Sequence, residues 1–334
     1  MVDFSNKISG SRNSVNDFGP KMATWVVTDG RIGIQNQAVG LAEAVGLPLE
    51  CKTVHPRLPW TILPVAHWPF PFKALNHQSS TFHPPWPVLA IGCGWRSIPY
   101  ILAIKKLSKN TTLTIQLQDP KISPKHFDLV IPPEHDRLSG PNVIPIIGSP
   151  NRVTQQKLSD AENRWEVRFR HLPQPRVAAL IGGKSKSHQF SDDDAGRLGD
   201  QLRSLAAKGI SILATTSRRT GKTQSDIIRE KLDIPNAYLW NGEGENPYLG
   251  MLALADAILV TSDSTNMMVE SAATGKPVHV FSLRCTNAKF EDLNRRLNDL
   301  GITRPFSGRI EQWAYVPLNE TEKIARIIRG KLGI

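Results

Sequence analysis

Short apolar runs alternate with longer helical patterns along most of the chain, and this alternation limits the fold more than any other feature. The runs ATWVVTDG and VAALIGG are typical of strands, while NQAVGLAEAVG has the apolar spacing of a helix. Strands that alternate with helices of about ten to fifteen residues indicate right-handed βαβ units and parallel sheets. The sequence therefore predicts an α/β protein.

The alternation is interrupted at HLPQPR, where two prolines separate a long helical pattern from a new strand. We therefore predict two Rossmann-like, doubly wound parallel-sheet domains, residues 23–172 and 173–310, that face each other across a cleft. Residues 1–22 are polar, lack the apolar core of a signal peptide and are predicted to be a disordered tail. Residues 55–87 are too rich in proline for regular structure. Their aromatic rings would either stack on a substrate or, as we favour, pack against one another within a loop.

Composition excludes several classes of protein. No apolar run reaches the ~20 residues of a membrane span, and three cysteines without a CxxC pair indicate a reducing cytoplasm without disulfides or structural zinc. The net charge of +11 favours an anionic partner or a basic surface. No run of five basic residues and no known nucleic-acid motif occurs, so we expect no nucleic acid as partner. The nine histidines form no ligand cluster, and we expect no metal.

Polar residues follow the predicted strands of both halves, at the sheet edge where doubly wound proteins bind ligands. In the C-terminal half these are Gly182-Gly183, Ser217-Arg218-Arg219 and Asp263-Ser264. Glycines let backbone amides approach a phosphate, hydroxyls and arginines donate to it, and a helix starting after Ser264 would add its positive end. This combination predicts a pyrophosphate site, the alternative being that Asp263, Ser264 or Thr265 only caps the helix.

Long motifs in the chain resemble those of one known family. They include WVVTDGRIGIQNQAVGLAEA, VIPPEHDRLSGPNV, TTSRRT and WNGEGENPYLGMLALADAILVTSDSTNMMVESAATGKPVHVF. From about residue 23 to 330 the sequence strongly resembles the ELM1-like family, which comprises bacterial proteins of glycosyltransferase type and a plant branch linked to mitochondrial fission. Residues 259–282 also resemble the sugar-nucleotide signature of GT-B glycosyltransferases such as the MurG and LpxB enzymes.

The resemblance implies a GT-B architecture, metal-independent chemistry and a C-terminal helix, within 311–334, that packs back on the first domain. It matches Ser264 and Thr265 to diphosphate contacts and Glu270 to a ribose contact, and makes Arg218 and Arg219 suited to stabilise a leaving diphosphate. The full set of candidate nucleotide contacts is Gly182, Gly183, Ser217, Arg218, Arg219, Asn246, Asp263, Ser264, Thr265 and Glu270. The candidate catalytic residues are Asp29, Arg31 and Asp119, with Glu134-His135-Asp136 as an alternative, and Asp29 is the first choice of general base.

Two functions remain open at this level. The first is a glycosyltransferase that uses a nucleotide-diphosphate sugar as donor substrate, without a bound cofactor, on a lipid-linked or cell-envelope acceptor. Such a protein would be cytoplasmic and peripheral on the inner face of the membrane, where its positive charge would meet an anionic surface. The second is a non-enzymatic adaptor on a GT-B scaffold, as the plant branch implies.

Overall fold

A computed structural model describes residues 23–65, 68–185, 187–286 and 288–334, so the predicted tail at 1–22 lies outside the described residues. The N-terminal sheet contains five parallel strands in the order β2-β1-β3-β4-β5. Its elements are β1 (Thr24–Thr28), α1 (Ile32–Val45), β2 (Leu49–Thr53), β3 (Leu89–Cys93), α2 (Ile98–Leu107), β4 (Leu113–Leu117) and β5 (Leu129–Ile131), followed by the connecting helix α3 (Gln155–Phe169).

The second sheet contains six parallel strands in the order β11-β10-β9-β6-β7-β8. Its elements are β6 (Arg176–Ile181), α4 (Asp192–Ala207), β7 (Ser211–Thr216), α5 (Lys222–Lys231), β8 (Ala237–Trp240), α6 (Tyr248–Leu254), β9 (Ala257–Thr261), α7 (Thr265–Ala272), β10 (Val278–Phe281), α8 (Ala288–Asp299) and β11 (Thr303–Pro305), and the chain ends in α9 (Glu320–Leu332). The predicted α/β fold with two parallel-sheet domains is thus confirmed.

Central strands of both sheets are buried on both faces, which explains why they read as continuous apolar runs. All five residues of β1 are buried: Val26 packs with α1, while Trp25 and Val27 face the opposite core cluster. Neighbouring residues of β6 divide in the same way between two core clusters of the second domain. Each sheet is therefore the middle layer of a three-layer domain, and its carboxyl edge is free to build a site.

The last helix, α9, packs on the first domain. Ile324 and Ile328 are fully buried in the core cluster that contains α1, and Arg329 Nη1 donates a hydrogen bond to the Ala44 carbonyl at 2.5 Å. The helix starts at Glu320, well after residue 311, because Pro317 has no N–H to donate and cannot sit inside a helix.

One apolar run does not form the strand that its pattern indicated. NVIPIIG (142–148) makes only isolated bridges, Val130 with Val143 and Pro133 with Ile146. Pro145 removes a ladder donor in the middle of the run, which explains why no extended strand forms there.

Candidate functional site

Three strand ends of the second domain meet around the buried carboxylate of Asp263. This carboxylate accepts hydrogen bonds from the Gly183 amide (2.8 Å) and from Thr261 Oγ1 (2.7 Å), and it pairs with Arg219 Nη2 at 2.9 Å. A Cβ on Gly182 would lie 2.2 Å from Asp263 Oδ1, so only glycine fits beside the carboxylate. Asp263 therefore holds the glycine loop and Arg219 in place, a positioning role that the sequence did not distinguish from a ligand contact.

The turn after β7 is fixed to the same glycine loop. Ser217 Oγ accepts from the Arg219 amide at 3.1 Å, and Thr220 Oγ1 donates to the Gly182 carbonyl. A Cβ on Gly183 would lie 2.1 Å from the Arg219 carbonyl oxygen, which shows how closely the two loops approach. Ser217 thus organises its own turn, while Arg218 is exposed on the surface.

The N-terminal end of α7 lies next to these loops. Ser264 occupies the cap position with φ −108° and ψ 90°, and no side chain among the described residues caps the first turn. The hydroxyls of Ser264 and Thr265 are thus not used as caps, so the capping alternative does not describe this helix. An uncapped helix start carries free N–H groups and a partial positive charge, which suits an anion.

A second helix start faces α7 from the first domain. α1 begins at Ile32 after Arg31, and its first turn also has no side-chain cap in the described part of the chain. The two helix starts are joined by Asn266, whose Nδ2 donates to the Gly33 carbonyl at 3.2 Å and whose Oδ1 accepts from Gln37 Nε2 at 3.0 Å. The carboxyl edges of the two sheets therefore face each other across the cleft.

Asp29 is buried and pairs with a cation. Its carboxylate lies 2.8 Å from Arg31 Nε and 4.0 Å from Arg96 Nη1. This arrangement fixes Arg31 at the start of α1, as Asp263 fixes Arg219 across the cleft. The assignment of Asp29 as general base stays a prediction, and its ion pair favours a positioning role.

The other candidate catalytic residues lie in separate places. Asp119 Oδ1 accepts from the Lys121 amide at 2.8 Å, and its other oxygen lies 2.5 Å from Lys121 Nζ. Glu134 begins a short 3₁₀ helix, Glu134–Asp136, and pairs with Arg296 of the second domain at 3.3 Å. Glu134 and His135 line a small interdomain cavity of about 210 Å³.

Glu270 lines a larger cavity between the domains, of about 470 Å³. The cavity is also lined by Asn36, Arg152, Trp165, Asn246 and Tyr248. The Tyr248 hydroxyl donates a hydrogen bond to Glu270 Oε2 at 2.6 Å. Burial raises the pKa of the Glu270 carboxyl to about 7, although the hydrogen bond from Tyr248 and the charge of Arg152 offset part of this effect. The structure thus supplies a partner that spacing along α7 did not reveal.

The cations of this cavity already have acidic partners. Arg152 makes two hydrogen bonds to Glu43 (3.1 and 2.6 Å), and Lys157 Nζ lies 2.5 Å from the same carboxylate. Burial acts to raise the pKa of Glu43, but the hydrogen bonds and charges of Arg152 and Lys157 outweigh it and leave the pKa lowered. Arg152 was missed by sequence reasoning because it belongs to no strand end or recognised motif. Tyr248 was missed although it lies within a family motif, because the sequence does not show that it contacts Glu270.

Two searches of the described residues were negative. No group of three or more His, Cys, Asp or Glu side chains in the described ranges is arranged to hold a metal ion. Within the same ranges, no helix combines the length and apolar character needed to cross a bilayer.

Two parallel-sheet domains that face each other define the GT-B class, and solved structures of that class share the fold. The UDP-GlcNAc 2-epimerase of Methanocaldococcus jannaschii is similar with a TM-score of 0.57 at 12% identity, over 94% of this chain and 100% of that one. The S. aureus MnaA–UDP structure is similar with a TM-score of 0.51 at 11% identity, over 93% and 97%.

Sequence comparison identifies the family. The family model described as Mitochondrial fission ELM1 matches residues 32–332, and the chain belongs to this family, which confirms the resemblance in its motifs. The Mitochondrial fission protein ELM1 of Arabidopsis thaliana is 30% identical over 285 residues, 77% of this chain and 67% of that protein. The Uncharacterized protein RP120 of Rickettsia prowazekii (strain Madrid E) is 28% identical over 357 residues, 94% of this chain and 99% of that protein.

Proposed function

We propose that this protein binds a nucleoside-diphosphate sugar in the interdomain cleft and transfers the sugar to an acceptor. The single observation that carries the proposal is Glu270, a carboxylate with a raised pKa that lines an interdomain cavity of about 470 Å³ on the helix whose start is uncapped. A structurally similar protein, the UDP-GlcNAc 2-epimerase of Neisseria meningitidis (TM-score 0.50, 12% identity), was solved bound to UDP-GlcNAc. That ligand contains a diphosphate, which suits the start of α7, and a ribose, whose hydroxyls suit Glu270 further along the same helix.

In this proposal the diphosphate lies at the start of α7. Ser264 and the free N–H groups of the first turn donate to its oxygens, and Arg219 and Arg31 offset the negative charge that grows on the leaving diphosphate. Glu270 accepts hydrogen bonds from the two ribose hydroxyls. Each arginine is held by a buried aspartate, so the cations are oriented before the donor arrives.

The transfer breaks the bond between the sugar and the diphosphate and forms a bond from the sugar to an acceptor hydroxyl, whose proton goes to a base. Asp29 and Asp119 are the candidate bases, and each forms an ion pair, Asp29 with Arg31 and Asp119 with Lys121. We further propose that the acceptor is lipid-linked or part of the cell envelope and that the protein works in the cytoplasm, peripheral on the inner face of the membrane. The net charge of +11 supports this placement.

A non-enzymatic adaptor is the second candidate function. It is favoured by the ion pairs of Asp29 and Asp119 and by the Arabidopsis relative, whose name describes a mitochondrial fission protein. An adaptor would keep the cleft without turning over a donor.

Calorimetric titration of the full-length protein with UDP-, GDP- and ADP-sugars tests the proposal. We expect one donor to bind, and Ser264→Ala to weaken its affinity by about tenfold because a hydrogen bond to a charged group is lost. The matched control is Ser204→Ala, an exposed serine on α4. Absence of binding across the panel would reject the proposal and favour the adaptor, while binding without release of nucleoside diphosphate on any envelope acceptor would reject only the transfer step.

A further inference from the structure

Exposed apolar side chains are concentrated on one surface of the first domain. Ile62 is 75% exposed, Phe70 73% and Leu58 70%, and Leu107 of α2 is also exposed. We call the surface formed by residues 57–63, 68–73 and 102–107 the apolar patch. It contains a groove of about 660 Å³ whose lining includes Phe70, Phe72, Leu102 and Leu107. Single exposed apolar residues are ordinary, but a contiguous group usually marks a binding surface.

Hydrogen bonds join the segments of the apolar patch. Trp60 Nε1 donates to the Pro69 carbonyl at 3.2 Å, and Trp68 Nε1 donates to the Leu63 carbonyl at 3.0 Å. Arg57 Nη2 donates to the Lys73 carbonyl at 3.1 Å. The exposed residues of the two loops therefore lie on one connected surface.

An aromatic cluster supports the patch from below. Phe72 stacks on Phe82 with ring centroids 4.9 Å apart, and Trp68 meets Tyr100 edge-on at 6.1 Å. Phe70 stands above this layer with φ +48°, a left-handed conformation that is unusual for a bulky side chain. Strain of this kind persists where surrounding structure imposes it and often marks a functional position. The ring of Phe70 is therefore held outward by the fold.

Cations surround the patch, and acids are absent from its part of the sequence. The three ranges that form the patch contain Arg57, Lys73, Lys105 and Lys106 and no Asp or Glu, and of these cations Lys105 pairs with Asp128. Lys73 Nζ lies 5.0 Å from the centre of the Phe70 ring, and the Arg57 guanidinium lies 5.9 Å from the Trp60 ring. Lys106 lines the groove and is exposed. Positive side chains thus lie beside Phe70 and Trp60 of the patch.

We propose that the apolar patch docks the protein onto an anionic lipid bilayer. Apolar side chains that project beyond a ring of cations can enter the boundary between headgroups and acyl chains while the cations meet lipid phosphates. The local charge excess favours a bilayer over an apolar protein surface, because such a surface would leave these cations without a counter-charge. The inference adds a docking surface to the membrane placement in the proposed function, and it rests on that placement alone. It does not depend on nucleotide binding.

Sedimentation of the full-length protein with vesicles tests the inference. We expect binding to phosphatidylcholine vesicles that contain phosphatidylglycerol, at least about tenfold tighter than to phosphatidylcholine alone, and weaker as salt rises. The double variant Ile62→Ser/Phe70→Ser should lower the vesicle partition coefficient by at least about tenfold, because both side chains are exposed and would enter the interface. The matched control is Val167→Ser/Val316→Ser, which removes two valines of similar exposure (68% and 86%) outside the patch.

The inference would be overturned if the two double variants had equal effects or if the protein did not bind anionic vesicles. It would also be overturned if binding were insensitive to salt and equal on both vesicle types. Capture of a protein through the patch without vesicle binding would also overturn it. Thermal unfolding establishes that the variants fold, and titration of the patch variant with the best nucleotide sugar should give wild-type affinity. Loss of vesicle binding with intact nucleotide binding, or the reverse, shows which of the two proposals has failed.

Discussion

The sharpest prediction concerns the charge state of Glu270. Burial raises its pKa to about 7, whereas a carboxylate that accepts two hydrogen bonds from a ribose must be ionised. With this pKa, about one tenth of the carboxyl groups are ionised at pH 6 and about nine tenths at pH 8. Affinity for a nucleoside-diphosphate sugar should therefore rise about tenfold between pH 6 and pH 8 and level off above that.

Glu270→Gln keeps the shape of the side chain and removes its titration. At pH 8 we expect the variant to bind about ten- to hundredfold more weakly than wild type, which corresponds to about 1.5–3 kcal/mol for a hydrogen bond to a charged acceptor. At pH 6 the difference should shrink to a few-fold, because most wild-type molecules are then protonated. The variant itself should show no step in affinity near pH 7.

The same substitution has an opposite effect on the protein without ligand. Because the folded pKa of about 7 is above the ordinary value of 4.5, the stability contributed by this group is full below pH 4.5 and is lost as the pH rises through 7. At about 1.4 kcal/mol per pH unit the loss is at most about 3.5 kcal/mol. Glu270→Gln should therefore unfold at higher denaturant than wild type at pH 8, and the difference should be much smaller at pH 5.

Calorimetric titration at pH 6, 7 and 8 with a nucleotide sugar measures the first effect, and urea unfolding measures the second. A nucleotide sugar suits the titration because its diphosphate is esterified at both ends and does not itself change charge in this range. Glu230→Gln, an exposed glutamate on α5, is the control and should match wild type throughout. Equal wild-type affinities at pH 6 and 8, or a Gln variant that binds like wild type at pH 8, would remove Glu270 from the site.

Three further predictions follow from single contacts. Tyr248→Phe removes the hydrogen bond to Glu270, so the pH midpoint of nucleotide affinity should move upward and affinity at pH 7 should fall, as titration across pH would show; an unmoved midpoint contradicts the role of this bond. Gly183→Ala places a methyl group 2.1 Å from the Arg219 carbonyl oxygen and should lower both stability and nucleotide affinity, whereas Gly196→Ala on α4, with open space around its Cβ, should stabilise by up to ~1 kcal/mol in urea unfolding. Ile328→Ala should cost about 2–5 kcal/mol of unfolding free energy because Ile328 is fully buried between α9 and the first domain, while Ile334→Ala, half exposed, should cost less than ~0.5 kcal/mol; equal losses would show that α9 does not stabilise that core.

The fold followed from the sequence because parallel strands buried on both faces leave a direct signal. Strands such as β1 and β6 are continuous apolar runs, and their ends carry the polar residues that mark the sheet edge. Strand β11 (Thr303–Pro305) was not predicted, since three residues that include a proline at the sheet edge carry no strand pattern. Local periodicity thus identifies central strands and fails at short edges.

The site was predicted less completely, because its contacts join distant parts of the chain. The motif around α7 made Glu270 a candidate, but its hydrogen-bond partner Tyr248 lies on α6, 22 positions away. The role of Asp263 as the support of Gly183 and Arg219 depends on three strands being neighbours in the sheet, an order that spacing does not reveal. Arg152 enters the cavity from the segment before α3, outside every motif.

Asn266 has a kinetic consequence. Its amide joins α7 to Gly33 and Gln37 of the first domain, and Gln37 in turn accepts a hydrogen bond from Gln118 Nε2 at 3.0 Å. These bonds lie beside the helix start where the proposal puts the diphosphate, so any separation of the two domains that admits a donor would have to break them. Association would then be limited by the rate of this opening, well below the diffusion limit, and Asn266→Ala should raise the association rate constant more than it changes any contact to the nucleotide.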